Sequence, residues 1–195
     1  MKTYIYFVRH AKSLFVPSVD QERARGLTEQ GKRDAAKVTD LLAEEGIDVL
    51  VSSPYARAVE TIQGLADHLN KKIAVYEELR ERPIASLAYD IPEEMVQQAI
   101  EKSFTDADYC LTEGESTRMA RERAMPIIQS LLSEHKGRNV VIGTHGNIMT
   151  IIMNGLDRDY GYGFWKQTTK PDVYKLEFEE ERLRKVERLW KPQES

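Results

Sequence analysis

Four positions carry side chains that could do chemistry together: Arg9-His10, Arg57 and His145. Each stands just past an apolar run. "YIYFV" (4–8) leads into Arg9-His10, "IDVLVSS" (47–53) leads into "PYAR", and "RNVVIGT" (138–144) leads into His145-Gly146. Guanidinium forks bind phosphate oxygens in pairs, and a neutral imidazole is a competent nucleophile. Brought together, two arginines and two imidazoles make an anion site suited to tetrahedral phosphate. A histidine at a strand end is usually structural, however, and an arginine there usually pairs with a surface carboxylate. His68 in "ADHLN" and His135 in "SEHKG" read as solvated or helix-terminal residues, the latter well placed against a helix C-terminus. The joint pattern on three strand ends is what points to function.

The elements that must position these groups follow from periodicity. "YIYFV" reads as a buried strand. Residues 27–46 read as a helix with Thr28 as N-cap, an apolar stripe through Ala35, Val38, Leu41 and Leu42, and Gly46 as a C-terminal stop. A second strand (47–53) runs into Ser53-Pro54, a cap and first turn for a helix ending near Leu69. A third strand is expected over 72–79. Residues 82–113 break the pattern and read as an insertion with one helical piece near 93–104. A long helix (about 115–135), a fourth strand (138–146), a short buried helix and a closing antiparallel hairpin ("DVYKLEF", "RLRKVERLW") complete the order. This predicts a three-layer α/β/α fold with a mostly parallel mixed sheet, an antiparallel edge hairpin and a small insertion over the site. In such sheets ligands bind beyond the strands' carboxyl ends. A helix beginning at Ser53-Pro54 would add N–H groups and a positive dipole end there.

Composition narrows the class. The chain has 195 residues, 41% hydrophobic and 31% charged, with a net charge of −4. These values suit one soluble domain and argue against nucleic-acid or membrane partners. The single cysteine, Cys110, forms no intrachain disulfide and reads as a small apolar filler. Arg9 arrives too early for a signal-peptide core, and no run approaches a membrane span, so a cytoplasmic setting is expected. The tail "KPQES" is expected to fray.

The motifs as a set resemble the histidine phosphatase superfamily, in its phosphoglycerate-mutase-like branch. "VRHAKS" resembles its Arg-His-Gly opening, and "LTEQG" the motif starting its first helix. "SSPYARAVETI" and "ELRER" resemble its Ser-Ser-Pro and acid-bearing segments, and "EGES" and "GTHGNIM" its last two blocks. The matches fall in family order across about residues 4–155. The resemblance implies that His10 is the nucleophile, that Arg9, Arg57 and His145 hold the phosphate, and that Glu81 is the proton donor. Glu81 is assigned by the motif, since Glu77 and Glu78 stand close by. Ser13, Arg82 and Gly146 join these groups as substrate-binding candidates. No cofactor and no metal is called for, because arginine and imidazole supply the positive charge.

Two positions depart from the family pattern. Ala11 replaces the usual Gly after the nucleophile, which is tolerable unless φ is positive there. Val16 stands where many members carry a phosphate-binding Asn. The insertion has only Arg82 and Lys102 as cations, beside Ile84, Leu87, Tyr89, Ile91, Phe104 and Tyr109. It also reads Arg-Pro-Ile after Glu81, not the His-Tyr-Gly of the mutases. The expectation is a metal-independent phosphomonoester hydrolase of the histidine acid phosphatase type, acting on a small phosphorylated substrate. The alternatives are a phosphoglycerate mutase-type phosphotransferase and a non-catalytic phospho-ligand binding module. The sequence carries no signal for oligomeric state.

Overall fold

A computed structural model describes residues 1–15, 21–86 and 90–191. Six strands form one sheet in the order β3-β2-β4-β1-β5-β6. β1 (Lys2–Arg9), β2 (Val49–Ser52), β3 (Ile73–Val75) and β4 (Asn139–Thr144) are mutually parallel. β5 (Asp172–Glu179) runs antiparallel to β1, and β6 (Arg182–Arg188) antiparallel to β5. The expected mixed sheet and edge hairpin are therefore present.

β1 shows why the strand sequence is apolar throughout. Ile5 and Phe7 enter the core beneath α4 (Thr117–Glu134) and α5 (Gly146–Leu156), while Tyr6 and Val8 enter the core beneath α1 (Glu29–Leu42) and α2 (Ala56–His68). A strand covered on both faces has no polar face to alternate with. α1 packs through Ala35, Val38 and Leu42, and Thr28 Oγ1 accepts the Gly31 N–H at 3.0 Å as its cap. α4 is capped likewise, Ser116 Oγ accepting the Met119 N–H at 3.2 Å.

Several boundaries differ from expectation. α1 ends at Leu42, and Gly46, with φ of +65°, turns the chain four residues beyond it. α2 starts at Ala56 with Tyr55 as its cap residue, so Ser53-Pro54 does not open it. The third strand stops at Val75, and Glu77–Leu79 form a 3₁₀ turn instead. An unanticipated helix, α6 (Tyr162–Gln167), lies between α5 and β5. It packs with α3 (Glu93–Thr105), through Tyr162 and Trp165 against the small core of Ile84, Ala85, Ala99 and Ile100, which Cys110 also touches. The insertion is thus anchored by residues that follow its end by some fifty positions. Val16, Leu87, Tyr89 and most of the C-terminal tail lie outside the described residues. No helix among the described residues is long and apolar enough to cross a membrane.

Candidate functional site

Strand register brings the predicted groups to one edge. Arg9 pairs across from Thr144 on β4 and from Asp172 on β5. Just past the strands, the His10 N–H donates to the Thr144 carbonyl at 2.9 Å and the Ser53 N–H to the Gly143 carbonyl at 3.0 Å. These bonds hold the His10 and Ser53 backbones against the end of β4. The His10 and His145 rings meet edge to face with centroids 5.2 Å apart.

The His10 ring is oriented by its own loop. Its Nδ1 lies 2.7 Å from the Ala11 carbonyl oxygen. A carbonyl only accepts, so Nδ1 carries the hydrogen and Nε2 keeps its lone pair. Burial, then Arg57, Arg9 and Lys170, hold His10 well below the ordinary imidazole pKa, against an opposing pull from the Ala11 carbonyl. His145 is fully buried and is also held well below the ordinary value, by burial first and then by His10, Arg57 and Arg9. Its Nε2 sits 2.7 Å from Ser53 Oγ, and its Nδ1 has no hydrogen-bond partner among the described residues.

The arginines flank these rings. Arg9 is buried, with Nη1 donating to Thr168 Oγ1 and Nε unpartnered. Its guanidinium lies against Gly146, where a Cβ would stand 2.7 Å from Arg9 Cζ, so residue 146 must be bare for Arg9 to lie there. Arg57 donates through Nη1 to the Glu22 carbonyl at 3.0 Å and pairs through Nη2 with the Glu22 carboxylate at 2.9 Å. That carboxylate oxygen also receives Arg25 at 3.0 Å. The Arg57 head stacks over the Tyr55 ring, 4.8 Å from its centroid.

Glu81 is tied to the start of α5. Its carboxylate accepts the N–H groups of Arg82 at 2.8 Å, Ile148 at 2.9 Å and Asn147 at 3.2 Å. A helix N-terminus offers unpaired donors and a positive dipole end. The α5 start that His145 precedes thus also fixes the Glu81 carboxylate, whose charge acts on Arg9 and Arg57.

The other predicted residues lie as follows. Ala11 is fully buried, its N–H donates to Thr61 Oγ1 at 3.0 Å, and it is not among the positive-φ residues, so the missing glycine leaves the turn unstrained. Ser13 forms an isolated bridge to Leu27. Arg82 is not brought into the cluster. It is 2% exposed, and Nη2 donates to Asn147 Oδ1 at 2.9 Å and Ser103 Oγ at 3.1 Å while burial lowers its pKa to about 10. Those bonds fasten the insertion to α5.

Five further residues belong to the site. Ser53 was expected only as a helix cap, and Glu22, Arg25, Thr168 and Lys170 drew no functional reading. A usable signal existed for the last two. An antiparallel strand beside β1 must start where β1 ends, so the loop entering "DVYKLEF" falls at the edge that carries Arg9 and His10.

The chain belongs to the histidine phosphatase superfamily (branch 1), whose family model matches residues 5–190. Among curated proteins, phosphoglycerate mutase-like protein 4 of Arabidopsis thaliana is 28% identical over 131 residues, 63% of this chain. The match takes in 56% of that relative's length. A mycobacterial glucosyl-3-phosphoglycerate phosphatase shares the fold with a TM-score of 0.75 at 18% identity, covering 96% of this chain and 97% of its own. A phosphoserine phosphatase variant of Entamoeba histolytica does so with a TM-score of 0.74 at 18% identity, covering 94% of this chain and 96% of its own.

Proposed function

We propose that the protein is a metal-independent phosphomonoester hydrolase that works through a phosphohistidine on His10. The observation that carries this reading is the buried, neutral His10 ring, its Nδ1 hydrogen held by Ala11, beside arginines with one shared acid, Glu22. The Nε2 lone pair attacks phosphorus, and the bond to the leaving oxygen breaks with its electron pair going to that oxygen. Glu81 supplies the proton. A water then attacks phosphorus, gives a proton to Glu81, and the P–N pair returns to Nε2. Arg9 and Arg57 meet charge on the transferring oxygens, the dominant contribution in phosphoryl transfer. Ser53 Oγ accepts the Tyr55 N–H at 3.3 Å, which leaves its hydroxyl hydrogen for His145 Nε2. His145 Nδ1 then carries the proton and donates to a phosphoryl oxygen.

The insertion favours hydrolysis over mutase chemistry. Its two cations are engaged elsewhere, Arg82 as described and Lys102 over the Tyr109 ring at 4.0 Å from the centroid. The test is p-nitrophenyl phosphate hydrolysis in EDTA, wild type against His10→Ala, with trapping of an acid-labile, alkali-stable phosphoryl group. A loss of roughly 10⁶-fold is expected, the scale of removing a catalytic nucleophile. Equal rates would overturn the reading. Conversion of 3-phosphoglycerate to 2-phosphoglycerate outpacing phosphate release would assign a mutase instead, and tight phosphate binding without turnover a binding module.

A further inference from the structure

We propose that Lys170 holds a second anionic group of the substrate, so that the site takes phosphomonoesters bearing a carboxylate or further phosphate beside the bond that is cut. This rests on the hydrolase reading above for the role of Glu81. Residues 168–171 lead into β5, whose first residue stands opposite Arg9. The loop is tied on both sides of Lys170. Thr168 Oγ1 accepts Arg9 Nη1, and the Thr169 N–H donates to Asp172 Oδ2 at 2.9 Å. Thr169 Oγ1 donates to the Pro171 carbonyl at 2.6 Å and accepts Arg188 Nη2 at 3.3 Å. Asp172 is itself fully buried and locked by Arg188 at 2.7 Å. The backbone at Lys170 is therefore fixed at the catalytic edge.

The ammonium of Lys170 has no hydrogen-bond or ion-pair partner among the described residues. Its charge is felt by His10, and it in turn feels Arg9, Arg25, Arg57 and Glu81. Burial and the neighbouring arginines lower its pKa, so this surrounding disfavours a cation. Charge balance shows what it awaits. When Glu81 carries the proton its role requires and Asp172 is matched by Arg188, Arg9, Arg25, Arg57 and Lys170 face the carboxylate of Glu22. A phosphoryl dianion meets two of the three surplus charges. The remaining one stands on a flexible arm, a good match for a compact anion at short distance.

The experiment compares wild type, Lys170→Met and Lys170→Arg on phenyl phosphate and on 3-phosphoglycerate. Lys170→Met is expected to lower kcat/KM for 3-phosphoglycerate roughly ten- to a hundredfold, the scale of a lost charged hydrogen bond. The loss should fall mainly in KM, exceed any loss on phenyl phosphate by about tenfold or more, and be reversed in large part by Lys170→Arg. Equal losses on both substrates would overturn the inference, since Lys170 would then act on the transferring phosphoryl group. So would no loss on either. If wild type cleaves neither compound, the hydrolase reading fails while this one is still decided. Calorimetric affinities for 3-phosphoglycerate and inorganic phosphate then stand in for rates, and the same selective loss is required.

Discussion

Two clusters of buried arginine lie in this molecule, and they are built on opposite principles. Under the insertion, Arg123 grips Glu115 with two parallel bonds, Nε to Oε1 at 2.6 Å and Nη2 to Oε2 at 2.7 Å. Its Nη1 also donates to the Glu78 carbonyl, and Arg80 reaches the same carboxylate at 3.3 Å. Nearby, Arg82 donates to Ser103, Asn147 and, at 3.5 Å, the Glu115 carbonyl. Every terminal group there finds its partner within the chain. At the sheet edge, Arg9 has a threonine hydroxyl, Arg57 shares Glu22 with Arg25, and two neutral imidazoles stand between them. Buried charge left over in this way is costly unless something else completes it. Internal pairing marks the first cluster as a fastening, and surplus charge marks the second as a receptor.

Substitutions can break that contrast. The largest effect is expected from Glu81→Gln, which should lower kcat by about 10²- to 10⁴-fold for alkyl phosphates, the usual range for a lost general acid. The loss should be much smaller for p-nitrophenyl phosphate, whose leaving group needs no proton. A uniform loss across leaving groups would remove Glu81 from that role. Next comes Glu115→Gln, which leaves Arg123 without its carboxylate. Urea denaturation should show about 3 kcal/mol of lost stability, the low end for breaking a buried pair, with kcat per folded molecule within about threefold. A selective collapse of activity instead would mean that the two clusters are not separable.

Gly146→Ala should push the Arg9 guanidinium aside, since the new methyl cannot share its space. About a tenfold rise in KM for phosphomonoesters is expected from such a displacement, read by steady-state kinetics with the melting point as control. The smallest effect is on pH. Above the ordinary imidazole value, His10 and His145 are neutral whether folded or unfolded. Below about 6.5 the unfolded chain takes up protons that the buried rings refuse, so stability falls with falling pH. One unit lower, each ring should cost on the order of 1 kcal/mol, measured as a drop in the urea midpoint between pH 7.5 and 5.5. A midpoint that rises on acidification would contradict the neutral assignment.

What could be read in the sequence is what sits on local pattern. Arg9, His10 and His145 follow apolar strand runs, and the expected cap at Thr28 is a short-range hydrogen bond. Glu81 was legible as a type and a motif, but not its three N–H donors, two of which lie on a helix more than sixty residues away. Arg82 shows the limit in the other direction. Its position beside Glu81 suggests a ligand contact, yet its side chain is taken by Ser103 and Asn147, which only tertiary packing brings near. Lys170 and Thr168 were missed because their place depends on the antiparallel register of β5 against β1. α6 escaped notice because its six residues are too few for a helical period to show.

That register has a consequence for the making of the protein. β1 is made well before both of its neighbours in the sheet, since β4 and β5 lie more than 120 residues further along. Until then an apolar strand with two open edges has no partner and is a liability for aggregation. His10 at its tip is present early, while the threonine that holds Arg9 is added only at residue 168. Synthesis must therefore run past β5, to about Glu179, before β1 is enclosed and the cluster at its end can be assembled.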